Sequence, residues 1–285
     1  MKEKEIKDMV REKYGELAVA RPAKKCCCGT KQVYTIMSDS YQGMEGYEPD
    51  ADMGLGCGLP TRFALLKPGD TVLDLGSGAG NDCFVARAEV GETGRVIGID
   101  FTPEMVARAR ENAAKRGYDN VEFIQGDIER MPLGDNVADV VVSNCVLNLV
   151  PNKAAVFAEI FRVMKPGGHF SISDIVLTGD LPEKIKTPAS MYAGCVASAI
   201  DKWEYLGFIE KAGFVNLKLQ KEKPIIVPDE ILADYLTASE IAAYKASPTV
   251  IFSITVYAEK PGSANWLDIP IKLTPTRRSK MTPRS

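Results

Sequence analysis

The stretch Val72-Leu-Asp-Leu-Gly-Ser-Gly-Ala-Gly80 decides the fold. The apolar run Thr71–Leu75 has the composition of a β-strand and leads straight into Gly76, Gly78 and Gly80. An amphipathic helical pattern follows over Asp82–Ala88. A strand, a glycine turn and a helix start together bring backbone close to a ligand. The spacing is G-x-G-x-G, not the G-x-G-x-x-G of pyrophosphate-binding dinucleotide folds. Asp74 lies inside the strand, two positions before the first glycine. A carboxylate there suits a ligand with a cationic amino-acid end better than a diphosphate. Asp100 ends the next β-run, Val96-Ile-Gly-Ile-Asp100, and is placed to accept hydrogen bonds from ribose hydroxyls.

Outward from this centre, β and α patterns alternate, which predicts a largely parallel sheet covered by helices on both faces. Further strands are predicted at Arg95–Asp100, Val121–Gln125, Ala138–Ser143 and His169–Asp174. Thr102-Pro-Glu104 opens a helix with Thr as N-cap, Pro in the first turn and an acid at the positive dipole end. Gly117 ends it. A helix is expected over about Lys153–Met164, then a sharp turn at Lys165-Pro-Gly-Gly168. Beyond it, Pro182–Ala199, Lys202–Ala212 and Pro228–Lys245 read as helical, and Phe214–Lys221 and Ile251–Glu259 as antiparallel edge strands. At the front, Ile6, Met9, Val10, Tyr14 and Leu17 mark an amphipathic helix within Lys2–Ala20. The expected organisation is an N-terminal helix and cysteine-bearing segment (1–60), a nucleotide-binding core (61–180), a covering and sheet-completing region (181–260) and a mobile tail (261–285).

The chain has 285 residues, is 45% hydrophobic and carries a net charge of −3, so no basic footprint for nucleic acid is present. No apolar run reaches the roughly 18–20 residues that span a bilayer. The start Met1-Lys-Glu-Lys-Glu-Ile has no apolar signal core, so a cytoplasmic location is expected. The single histidine, His169, excludes multi-histidine metal sites and is read as structural. Chemistry falls to carboxylates, thiols or a cofactor. The seven cysteines stand at 26, 27, 28, 57, 83, 145 and 195. An odd, scattered set is no disulfide framework, and paired C-x-x-C zinc modules are absent. Cys83 is read as a packed small hydrophobe.

Asp74-Leu-Gly-Ser-Gly-Ala-Gly80, Asp100, Gly126-Asp127 and Pro166-Gly-Gly168 resemble the successive motifs of class I S-adenosylmethionine-dependent methyltransferases. The cysteines narrow the resemblance. Cys26–Cys28, Gly56-Cys-Gly58, Asp82-Cys83, Ser143-Asn-Cys-Val-Leu-Asn-Leu-Val150 and Gly194-Cys195 resemble arsenite methyltransferases, the Ser-Asn-Cys segment most specifically. The family carries a cysteine pair near its N-terminus, whereas here three stand in a row. Which of Cys26, Cys27 and Cys28 takes that role stays open.

The resemblance implies a Rossmann-like sheet, S-adenosylmethionine as methyl donor, trivalent arsenic as substrate and an external thiol reductant such as thioredoxin or glutathione. It implies arsenic held by Cys145 and Cys195, with Cys57 as a third thiol. A thiol of the N-terminal cluster, such as Cys28, would deliver arsenic or pair with Cys57. It further places Gly76, Ser77 and Gly78 along the methionine moiety, Asp74 at its amino end and Asp100 on the ribose. Phe101 and Thr102 would lie beside the adenine, Asp127 at its amino group, Ile128 near the ring, and Asn144 between cofactor and acceptor. Two other readings stand beside it: a methyltransferase of the same fold for a lipid-like or quinone-like acceptor, and a non-catalytic thiol-based metalloid binder.

Overall fold

The computed structural model describes residues 3–19, 39–186, 196 and 198–262. The predicted strands and helices of the core form where their patterns place them. Strands β1 (Thr71–Leu75), β2 (Arg95–Asp100), β3 (Val121–Gln125), β4 (Ala138–Asn144) and β5 (Met164–Thr178) run parallel. Strands β6 (Val215–Ile225) and β7 (Val250–Glu259) complete a seven-stranded sheet of order β3-β2-β1-β4-β5-β7-β6, with β7 antiparallel to both neighbours. The order reverses between β1 and β4, and ligands of open parallel sheets bind beyond the strand ends at such a point.

Both faces of the sheet are covered. On one face, helices α3 (Asn81–Val90) and α4 (Pro103–Arg116) bury Phe84, Val106 and Ala109 against Val72 and Val140; helix α2 (Pro60–Phe63) precedes β1. On the other face, α5 (Lys153–Val163) sets Phe157 edge-on to Tyr205, with ring centroids 5.7 Å apart. Each such fully buried large side chain contributes about 1.5–3 kcal/mol. A third apolar cluster joins the N-terminal helix α1 (Glu3–Val19) through Val10 to β5 and to the C-terminal region, and it encloses Cys57 and Cys145. Among the described residues, no helix is long and apolar enough to cross a membrane.

Four expectations change. The Lys165-Pro-Gly-Gly168 segment belongs to β5, because the Gly167 N–H donates to Lys260 and the Lys260 N–H donates back to Gly168. That pairing partner is far away in sequence, so a local turn signal gave no hint of it. Lys260 also buries its ammonium against the carbonyls of Phe161 and Met164, both at 2.7 Å. The region Pro228–Lys245 divides into Asp229–Leu232 and Ala238–Ala246, because Thr237 and Glu240 form a capping box that starts a new helix. Of Pro182–Ala199, the structure shows helix over Glu183–Lys186; residues 187–195 and 197 lie outside the described residues, as does the tail from residue 263. Thr102 occupies the N-cap position of α4, but its hydroxyl makes no cap; the Asp100 carboxylate takes the Thr102 N–H instead.

Candidate functional site

A cavity of about 1090 Å³, its open mouth included, lies beyond the C-terminal ends of β1 to β4. All ten residues expected along a cofactor line it: Asp74, Gly76, Ser77, Gly78, Asp100, Phe101, Thr102, Asp127, Ile128 and Asn144. Gly76 sits at φ +69, and a Cβ there would run into the Val146 side chain. The turn's N–H groups face inward rather than into the cavity. Those of Gly76 and Ser77 donate to the Ile99 carbonyl at 2.7 and 3.0 Å, and that of Gly78 donates to Asp100 at 2.9 Å. The glycine turn therefore offers shape and close approach, not a cradle of free donors. Asp100 accepts from the N–H groups of Gly78 and Thr102 and stands in the cavity wall. Among the described residues the buried Ser77 hydroxyl, in the cavity wall, has no partner, as expected of a group that meets a polar ligand.

The cavity wall is acidic. Burial pushes Asp74, Asp82 and Asp100 above the usual carboxylate range, Asp82 to about 6. The charges acting on Asp74 are those of Asp82 and Asp100, both acidic. A cationic ligand would relieve this crowding. The Cys83 thiol packs among apolar side chains as expected, but it also donates to Asp74 at 3.2 Å, and burial raises its pKa. At the far end, Lys7 of α1 lies 2.6 Å from Asp127 and also pairs with Glu129. No pattern within α1 announced this bridge, because its partners lie about 120 residues away. His169 binds the Ala64 carbonyl at 2.6 Å, a structural role.

Beside the cavity two thiols meet. Cys145 follows β4 with φ +61, a rare conformation for a residue with a Cβ, and its N–H donates to Ser173 at 2.8 Å. Cys57 is brought in by Asn144. The Asn144 Oδ1 accepts the N–H groups of Cys57 and Gly58 at 3.0 and 3.2 Å. Its Nδ2 donates to the Gly58 carbonyl at 2.9 Å and to the Tyr41 hydroxyl at 2.6 Å. Tyr41 in turn donates to Asp82 at 2.7 Å. Asn144 thus clasps the loop that carries Cys57, a task its expected place between cofactor and acceptor did not include. Gly56 and Gly58 fit because a Cβ on either would strike Asn144 or Ser173.

The sulfurs of Cys57 and Cys145 and a carboxylate oxygen of Asp174 lie within 4.8 Å of one another, all three residues buried. Sequence reasoning missed Asp174. The available signal was a lone acid in the strand sequence Phe170-Ser-Ile-Ser-Asp-Ile-Val-Leu177, which alternates serine with apolar residues up to Asp174. Burial pushes its pKa up to about 7, against the pull of the Ile175 N–H, Lys153 and the Tyr205 hydroxyl. Cys28 and Cys195 lie outside the described residues.

Strand order, glycine turn and acidic cavity together define a class I methyltransferase. The family described as a methyltransferase domain matches residues 66–213. The chain is 40% identical to an arsenite methyltransferase of Halobacterium salinarum, over 86% of this chain and 66% of that protein. It is 35% identical to the arsenite methyltransferase of Mus musculus, over 74% of this chain and 57% of that one. A crystal structure of an arsenic(III) S-adenosylmethionine methyltransferase from Chlamydomonas reinhardtii superposes with a TM-score of 0.61 at 30% identity, covering 80% of this chain and 73% of that chain. The chain belongs to the arsenite methyltransferase family. It spans 45–66% of the length of the curated arsenite methyltransferases it matches.

Proposed function

We propose that this protein methylates trivalent arsenic held by its cysteine thiolates, with S-adenosylmethionine as donor. The observation that carries the reading is the pair of buried thiols, Cys57 and Cys145, at the strand end that borders the acidic cavity. Arsenic(III) is a soft centre and thiolates are the soft protein ligands. Sulfur-bound trivalent arsenic keeps a lone pair, and that lone pair is the nucleophile. No proton has to leave such a nucleophile, so the lack of a histidine base is no obstacle. The apolar cluster around both thiols keeps water from competing for the arsenic. Cys195 and a thiol of the N-terminal cluster, such as Cys28, complete the set, and a thiol reductant such as thioredoxin or glutathione restores the thiols.

Bound S-adenosylmethionine supplies an electrophilic methyl group on a cationic sulfur. Asp74 takes its amino end, Asp100 the ribose hydroxyls, Phe101, Thr102 and Ile128 the adenine flank, and Asp127 the adenine amino group once Lys7 yields it. Gly76, Ser77 and Gly78 shape the path of the methionine moiety. Asp100→Ala is expected to weaken cofactor binding by roughly 10- to 100-fold, the worth of hydrogen bonds to a charged group. Asp100→Asn keeps one acceptor oxygen and falls between. Unchanged affinity by calorimetry would remove the ribose assignment.

The raised carboxylates give a pH dependence of known sign. A cationic ligand favours the ionised form of Asp82, whose pKa stands at about 6, and so lowers that pKa on binding. Binding between about pH 5 and 7 then releases protons, and affinity rises with pH through that range. Titration calorimetry in two buffers of different ionisation enthalpy reads the proton count. Uptake instead of release would contradict the acidic-wall account.

The direct assay supplies the reduced protein with methyl-labelled cofactor, arsenite and a thiol reductant. Label in methylated arsenic is expected. Tight arsenite binding without product would instead mark a metalloid-binding protein. Bound cofactor with neither arsenite binding nor product would point to an organic acceptor.

A further inference from the structure

The third group at the thiol pair is a carboxylate, and nothing in cofactor binding or in sulfur–arsenic chemistry calls for it. Asp174 lies within β5, fully buried between Ser173 and Ile175. A buried carboxylate is costly unless donors meet it. The Ile175 N–H donates to its Oδ1 at 2.9 Å, and the Tyr205 hydroxyl donates to its Oδ2 at 3.3 Å. These contacts fix the group in place. The Asn148 N–H adds a third donor, and a carboxylate accepts about four hydrogen bonds, so one acceptor position remains. One oxygen lies within 4.8 Å of both Cys57 and Cys145, a spacing at which the three atoms can converge on a single centre.

We propose that Asp174 accepts a hydrogen bond from the hydroxyl that arsenite retains after the Cys57 and Cys145 sulfurs have bound it, and so selects arsenite over arsenicals that have no hydroxyl left. The inference rests on the reading of these thiols as the arsenic site. The exchange balances without an oxidant. Arsenite, As(OH)3, loses two hydroxyls as each thiol passes its proton to a departing oxygen. Two As–O bonds break, two As–S bonds form, two waters leave, and arsenic stays trivalent. One As–OH remains beside Asp174. Methylarsonous acid, CH3As(OH)2, uses both hydroxyls on the same two sulfurs and presents none. Asp174 is therefore a specificity determinant for the unmethylated substrate. A third thiol that later displaces the last hydroxyl also ends this contact.

The test compares two arsenicals on one protein. The full chain carries Cys195→Ser, so that no thiol from that segment displaces the hydroxyl, and it is kept reduced with a phosphine. Binding of arsenite and of methylarsonous acid is followed by the near-ultraviolet absorption of As–S bonds. Asp174→Ala is expected to weaken arsenite binding by about 10- to 100-fold. It should leave methylarsonous acid within about twofold. Asp174→Asn, which keeps a carbonyl acceptor in the same shape, loses less arsenite affinity than Asp174→Ala. Equal losses for both arsenicals would make Asp174 a mere support for the sulfurs and overturn the proposal. No loss for either would also overturn it. If the parent protein with Asp174 intact binds neither arsenical, the thiol site itself is wrong. That failure is distinct, because it appears before any change at Asp174.

Discussion

Cys145→Ser is expected to lower the rate of arsenite methylation by about 10³-fold or more, equivalent to about 4 kcal/mol of lost stabilisation. The argument is one of chelation. Cys57 and Cys145 already lie within 4.8 Å of each other, so the second As–S bond forms within the protein. A preplaced partner of this kind acts at millimolar effective concentration or above. Linked binding of this kind exceeds a single bond by about 10²–10⁴-fold, and Cys145→Ser forfeits that gain because an alcohol is a hard, protonated ligand. The fold should not notice. Serine matches cysteine in shape, and the φ of +61 is held by the backbone bond to Ser173. Cofactor affinity should change by less than about threefold, the ordinary range for a substitution that breaks no buried network. A variant that kept a tenth of the rate would remove Cys145 from the acceptor site.

Asn144→Ala is expected to destabilise the protein by about 3 kcal/mol or more. The change leaves the N–H groups of Cys57 and Gly58 without an acceptor and the Gly58 carbonyl with only a 3.5 Å contact from the Tyr41 hydroxyl, which keeps Asp82. Each buried group left unpaired costs about 1–3 kcal/mol. For a chain of this size that loss lowers the melting temperature by about 6–12 °C. Proteolysis should then begin within residues 39–58, the segment the clasp holds down, before it touches the sheet. Asn144→Asp should rescue little. It restores an acceptor for two N–H groups but removes both donors and sets a second carboxylate near Asp82. Full stability in the Asn144→Asp variant would show that only the acceptor side of the clasp matters.

The sheet was legible where neighbours in sequence decide it. Strands β1, β2 and β3 and helix α4 begin and end where apolar period, proline and glycine place them. The cavity was legible for the same reason, since its wall is built from strand ends. What the sequence hid depends on long-range pairing. Lys260 draws Gly167 and Gly168 into β5, Lys7 reaches Asp127, and Asn144 holds Cys57 from 87 residues away. Asp174 was hidden differently. The sequence pattern ends the predicted strand at this acid, which invites a solvent-facing reading, and only the fold brings two thiols from other segments beside it.

The anchorage of Lys260 has a practical consequence. It fastens the end of β7 beside the first residues of β5, at the end of the sheet opposite the strand ends that open into the cavity. A label or fused protein attached after residue 262 therefore starts out on the far side of the molecule from the thiols. A surface tethered through that point would leave the cavity mouth facing the solution.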